Sequence, residues 1–300
     1  MTTSSSIMKD TLGNLQQETV KLASEIEITY YVGGEHTGEP VVLLHGGGTD
    51  HALLSWRDTI PLLIKEGYRV YAPNYPGYGP SPLADEPSTT QNLTKYLEEL
   101  MDIWQLDDVA LVGISMGGAL SLSYTLRHSD RVRCVTLIGS YGIQDVAPFH
   151  HLSYAMIRMP WLLNWAWSMM RGSRWAARYT VSNILNNPEA RTDAILGEVM
   201  EALNNANSQI AFSQWQRDEI QWYGLNTNFT DELHKLQVPV LLAHGTHDIG
   251  VPLKYAERAA EKLPHAQLEI FENAGHWTQR DYPEKFNTLL LNFLAEHPAR

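Results

Sequence analysis

Cysteine is almost missing from this chain of 300 residues. The only one, Cys134, lies in an apolar strand-like run, VRCVTLIG. A disulfide framework within one chain is therefore excluded, and a reducing cytoplasm is the natural setting. Basic charge is also scarce. Lys and Arg number 22 against 34 Asp and Glu, a net charge of −12 without long like-charge blocks. That balance disfavours nucleic acid and anionic membrane as partners. Long apolar runs are absent too. The richest, Trp161 to Met170, is interrupted by Asn164 and followed by Arg171, so no membrane span is expected. The start MTTSSSIMKD has no basic region leading into an apolar one, and no secretory leader is expected. Metal-ligand spacing is lacking, since His244-x-x-His247-Asp248 has no third ligand. The glycine clusters match neither dinucleotide-binding nor P-loop patterns, so neither metal nor cofactor is expected.

What is present is enough apolar sequence for a large core: 44% hydrophobic and 10% aromatic residues. At this length the expectation is one core domain carrying an insertion. After a polar start (1–18, expected to fray), Thr19 to Val32 reads as two strands of an edge hairpin ending at Gly33-Gly34. PVVLL (40–44) is a continuous apolar run, the mark of a strand covered on both faces. A helix is expected from Asp50 to Glu66, a strand at 68–73, and a helix from Thr90 to Trp104 with apolar residues on a helical period. Further strands are expected at 109–112, 133–139, 238–243 and 267–271. Strands alternating with helices imply an α/β protein with a mostly parallel central sheet flanked by helices.

Between Tyr141 and Phe229 the composition changes. Trp161, Trp165, Trp167, Trp175, Trp215 and Trp222 fall here, six of the nine tryptophans, with five of the nine methionines. The pattern is helical. The expected division is a core of 1–140 and 230–300 with a helical cap, 141–229, inserted after the sixth strand. Most of these aromatics suit packing of cap on core, and as a set they suggest an apolar pocket between the two.

The chemistry centres on Gly113-Ile114-Ser115-Met116-Gly117 between a strand and a helix. A serine at such a turn, flanked by small residues, is a G-x-S-x-G nucleophile elbow. A Cβ at 113 or 117 would collide with neighbouring elements, and the sharp turn lifts Oγ clear of the sheet. The helix start behind it offers unpaired N–H groups to a developing negative charge.

HGGG at 45–48, the Asn74 to Pro80 loop, GISMGG at 113–118, HGTHD at 244–248 and NAGHW at 273–277 follow one another in an order that resembles the α/β-hydrolase fold. The likeness spans nearly the whole chain from about residue 20. A serine hydroxyl needs a base, and the base an orienting carboxylate. His276 is the candidate base, in a short loop after a strand at the carboxyl edge of the sheet. Asp248, just past VPVLLA, is the candidate acid, with Asp281 as a rival. The order Ser115, Asp248, His276 is that of the resembled family. The oxyanion donors are expected to be the N–H of Met116 and, by resemblance, of Gly47, with Gly48 as alternative. Gly48, Tyr141 and Trp277 are expected to line the substrate pocket.

Serine at the elbow argues against dehalogenase and epoxide hydrolase relatives, which use aspartate there. The chain resembles meta-cleavage product (carbon–carbon bond) hydrolases and small carboxylesterases. Thr49-Asp50 and Ile114 depart from the Pro-Gly and Asn of the former. The expectation is therefore a serine esterase for small to medium hydrophobic esters. The alternatives are a carbon–carbon hydrolase and a slow-turnover ligand-binding or signalling relative. A small hydrophobic ester is the expected partner, and a homodimer is allowed for.

Overall fold

The computed structural model describes residues 15–300. Eight strands form one sheet: β1 (Gln16–Lys21), β2 (Glu27–Gly33), β3 (Pro40–Leu44), β4 (Arg69–Pro73), β5 (Val109–Ile114), β6 (Val132–Ile138), β9 (Val240–Gly245) and β10 (Ala266–Phe271). Their order is β1-β2-β4-β3-β5-β6-β9-β10. β1 and β2 are antiparallel to their neighbours, and the other pairings are parallel. A two-stranded ribbon, β7 (Ile220–Gln221) with β8 (Gly224–Leu225), stands apart.

The central strands are apolar throughout because helices cover both faces. Alternate side chains go to opposite faces. Val42, Leu44, Leu111, Val135 and Leu242 enter one buried cluster; Val41, Leu43, Val112, Ile138 and Leu241 enter the other. Cys134 belongs to the second, and burial pushes its thiol up to about 12, so it is an inert core residue. β1, by contrast, is almost wholly exposed and polar, as suits an edge.

Three expectations need correction. The first strand begins at Gln16, which pairs with Val32, so residues 16–18 are ordered in the sheet; residues 1–14 lie outside the described part. The polar QQE segment shows no hydrophobic alternation to read, because it is held to β2 by backbone pairing and by the Tyr30 and Tyr31 hydroxyls, which donate to Glu18 and Gln17. The helix expected over 50–66 is two, Ala52–Trp56 and Ile60–Lys65. The second restarts with Pro61 in its first turn, where a missing N–H costs nothing. The ribbon at 220–225 interrupts an otherwise helical stretch.

Between β6 and β9 the chain runs through five helices: His150–Ile157, Pro160–Met170, Arg174–Ile184, Asp193–Leu203 and Ala206–Glu219. Ile157, Ala211 and Trp215 join the first buried cluster, and Ala177, Val181, Ile195 and Val199 the second. The end of this insert is tied down by Glu219, a fully buried carboxylate. It accepts hydrogen bonds from Thr90 Oγ1, Tyr141 Oη, Thr227 Oγ1 and the Thr227 amide. With every oxygen occupied, the group is tolerable in the interior. Among the described residues no helix is long and apolar enough to cross a membrane.

Candidate active site

Ser115 stands between β5 and the helix Met116–Arg127 with φ 51° and ψ −117°. A non-glycine residue there is strained, and the surroundings hold it. Its N–H donates to Ile138 O at 2.9 Å, and its carbonyl accepts from Tyr141 N at 3.0 Å. The glycines on either side allow the close approach. A Cβ at Gly117 would lie 2.2 Å from Leu44 O, and one at Gly113 would lie 2.3 Å from Gly117 O. Met116 opens the helix, so its N–H has no intrahelical acceptor.

Asp248 follows β9 and His276 follows β10, bringing both to the carboxyl edge where Ser115 sits. His276 Nδ1 is 2.7 Å from Asp248 Oδ2, whose side chain is inaccessible to solvent. The other oxygen of Asp248 accepts from the amides of Gly250 (2.8 Å) and Val251 (2.9 Å). A carboxylate so caged stays ionised and fixes the tautomer that carries a proton on Nδ1, freeing Nε2 as a base. Burial of His276 opposes protonation, but the Asp248 charge and hydrogen bond outweigh it and hold the imidazole above its ordinary value. Burial likewise opposes the charged form of Asp248, and His276 outweighs it, leaving the carboxyl below its ordinary value. His244 is a neighbour of the pair: its Nε2 donates to Val251 O at 2.7 Å and lies 3.6 Å from Asp248 Oδ2.

Asp281 has a different place. It accepts from the amides of Gly275 (2.5 Å), Asn186 (2.8 Å) and Asn187 (2.9 Å). It therefore holds the loop that carries His276 against the insert, and makes no bond to the imidazole.

The glycine loop after β3 lies beside the elbow, with the Cβ position of Gly46 3.5 Å from Ser115 Cβ. The Cβ position of Gly47 is 3.6 Å from Met116 Sδ and only 2.6 Å from the ring of Phe212, on the last helix of the insert. The two expected oxyanion donors are thus neighbours under an aromatic cover. Gly48, at φ 75°, faces the same ring. Tyr141 adjoins the serine through its backbone, but its ring packs edge-on against Trp215 at 4.7 Å and its hydroxyl serves Glu219. Trp277 is buried among Phe271, Phe286 and Leu290, as core. His45 is neutral, pushed down to about 3 by burial, and its Nε2 accepts from Tyr75 N.

Two residues that matter here have no place in the site as read from the sequence, although Asp50 is part of the departure from Pro-Gly. Gly139, at the end of β6 with φ 44°, has its Cβ position 2.7 Å from Asp248 Oδ2 and 3.0 Å from His276 Nδ1. Any side chain there would enter the Asp–His pair. Nothing in LIGS distinguishes it from an ordinary strand end. Asp50 is buried and accepts from Gly46 N (2.8 Å), His51 N (2.8 Å) and Ser55 Oγ (2.5 Å). It braces the glycine loop from behind, and burial pushes its carboxyl up to about 6. An acidic residue directly after HGGGT was the available signal.

A sequence model of the alpha/beta hydrolase fold family matches residues 39–283. The 2-hydroxy-6-oxo-6-(2'-aminophenyl)hexa-2,4-dienoic acid hydrolase of Metapseudomonas resinovorans is 29% identical over 91% of this chain and 89% of its own length. The 2-hydroxy-6-oxo-6-phenylhexa-2,4-dienoate hydrolase of Burkholderia cepacia is 28% identical, covering 86% of this chain and 88% of its own. Among solved structures, a meta-cleavage product hydrolase from Pseudomonas fluorescens superposes with a TM-score of 0.78 at 26% identity, over 97% of this chain and all of its own. With an elbow serine, a paired aspartate and histidine at the carboxyl edge, and a family match across most of its length, this chain belongs to the α/β-hydrolase fold family.

Proposed function

We propose that the chain is a serine hydrolase that cleaves uncharged, hydrophobic esters through an acyl-enzyme. Ser115 Oγ attacks the ester carbonyl while His276 Nε2 takes its proton. The oxyanion is received by the N–H groups of Met116 and Gly47, each worth about 3 kcal/mol of barrier. The leaving alcohol takes the proton from His276. Water, deprotonated by the same imidazole, then releases the acid and restores the serine. Asp248 orients the imidazole and stabilises its cation. Tyr141 and Phe212 border this site, and the helical insert as a whole acts as the cap that shields it.

The observation that carries the ester reading is how the insert's cations are placed. A dienoate carries a carboxylate, which needs a cation in the site. Arg158 donates to Ile220 O and Gln221 Oε1, Arg171 to Gln209 Oε1, and Arg174 pairs with Asp193. Arg191 donates to Leu185 O, and Arg178 and Arg217 lie on exposed faces. None of the six makes a hydrogen bond or ion pair with Ser115, Asp248, His276 or the glycine loop. The carboxylate that the structure does place beside the glycine loop, Asp50, would repel a substrate anion.

The second reading is hydrolysis of a carbon–carbon bond in a dienoate, and the relatives favour it over the ester. Both curated proteins named above act, by name, on dienoic acids. The HGGG, S-M-G-G and G-H-W-x-Q elements shared with that group speak for the same chemistry. The deciding measurement is kcat/KM on p-nitrophenyl esters of graded length beside a ring-cleavage dienoate, with wild type and Ser115→Ala. Ester activity that is lost in Ser115→Ala and unaffected by Arg→Ala changes at 158, 171, 174 and 178 is expected. A dienoate preferred a hundredfold, and lost with one of those arginines, would replace the ester reading by the second.

A further inference from the structure

Several large apolar side chains on the helices Pro160–Met170 and Arg174–Ile184 stay uncovered, while others on the same helices pack inward. Pro160–Met170 has no buried residue at all. Trp161 is 70% exposed, Trp165 61%, Met169 64% and, on the next helix, Trp175 74%. Trp175 stacks on Tyr179, also exposed, at 5.7 Å. Scattered exposed apolar residues are ordinary, but several large aromatics on adjoining helices mark an interaction surface.

Charge decides what occupies it. From Val146 to Pro188 the chain carries Arg158, Arg171, Arg174 and Arg178 and not one Asp or Glu, inside a protein whose net charge is −12. Whole-chain charge argues against an anionic membrane, yet it averages over a segment of the opposite sign. Arg171, Arg174 and Arg178, all exposed, flank the Trp175–Tyr179 pair in sequence. Arg171 is bonded to the neutral Gln209, Arg174 shares its charge with the exposed Asp193, and Arg178 lies beside Tyr179. Tryptophan over an apolar core, flanked by arginine, is the composition of a helix lying in a bilayer interface: indoles seat at the headgroup level and guanidinium groups reach lipid phosphates. A second copy of the chain fits poorly. A two-fold contact sets the same patch on itself and would oppose two arginine-rich surfaces.

We propose that the face formed by helices 160–170 and 174–184 docks on an anionic lipid bilayer, lying in its interface without crossing it. The serine site then works beside a membrane, where hydrophobic substrates concentrate. The docking itself does not depend on which bond is cleaved.

The test is co-sedimentation of the full-length protein with phosphatidylcholine vesicles, with and without 30 mol% phosphatidylglycerol, at low and high salt. Partition on the order of a hundredfold stronger into the anionic vesicles is expected, falling with salt. Trp161→Ser/Trp165→Ser/Trp175→Ser should lose most binding to both vesicle types. Arg171→Gln/Arg174→Gln/Arg178→Gln should lose the anionic preference alone. All three tryptophans are exposed, so both variants should keep the wild-type melting temperature, and esterase activity on a short soluble ester follows the site independently. Wild type that stays in the supernatant with anionic vesicles would overturn the proposal. So would a tryptophan variant that binds as wild type does. Sedimentation velocity showing a wild-type dimer that the tryptophan changes split would assign the face to a second copy and overturn it equally.

Discussion

At the scale of single residues the assignments of Asp248 and Asp281 separate cleanly. Asp248→Asn leaves His276 without a carboxylate and favours the wrong tautomer, a change worth roughly 10⁴ in kcat in well-studied triads. Asp281→Asn instead weakens backbone contacts at Gly275, Asn186 and Asn187. It is expected to cost mainly melting temperature, with a smaller loss of rate. Comparing kcat with Tm for the two variants checks the assignment; equal rate losses would place the acid elsewhere. The pH profile follows from His276. The base acts when neutral and its pKa is held above the ordinary 6.5, so kcat/KM should rise with pH through an apparent pKa above that value. In Asp248→Asn the inflection should move down. Asp50 has the opposite bearing on stability. Its folded value of about 6 exceeds the ordinary 3.8, so its favourable contribution is complete below about pH 4 and is lost as pH rises through about 6. Asp50→Asn should lower Tm overall, since an amide nitrogen replaces an acceptor, yet flatten its pH dependence across that window.

Elements were legible to the degree that their burial was one-sided or complete. β3 and β5 are continuous apolar runs because both faces are covered, and the helix Thr90–Ile103 shows its buried stripe at Leu93, Leu97 and Leu100. The strand–turn–helix around Ser115 combined such a run with glycines whose spacing only a tight turn explains. The start of β1 escaped because an exposed edge strand is held by backbone pairing and polar cross-strand bonds such as Tyr30 to Glu18, neither of which produces a hydrophobic alternation. Gly139 escaped for a related reason: what its missing Cβ makes room for, Asp248 and His276, lies over a hundred residues away in sequence. Gly139→Ala is expected to displace the Asp–His pair and lower kcat by tenfold or more while leaving the secondary structure intact by circular dichroism. Phe212, likewise distant, covers Gly47 and Gly48. Phe212→Ala should open that side of the site, raising KM for short esters more than it lowers kcat.

At the scale of the whole molecule the insert and the core share the site, and substrate length reports how they enclose it. Each buried methylene adds roughly 0.8 kcal/mol, about fourfold in kcat/KM. Activity on p-nitrophenyl esters should climb from acetyl to butyryl or hexanoyl and then fall; a plateau extending to long chains would mean the insert does not bound the pocket. The parts of the insert differ in what they are fastened to. Beyond its third helix, Asn186 and Asn187 donate to Asp281 while Trp277 N donates to Ile184 O, so this stretch is riveted to the loop that carries His276. The helix Pro160–Met170 has no fully buried residue and meets the core through the half-buried Leu163, Trp167 and Met170. A hinge at 184–187 would swing the histidine out of line each time the enzyme opened, disarming it with every turnover. The stretch 184–187 is therefore a keystone shared by the insert and the catalyst, and alignment of the imidazole depends on its staying put.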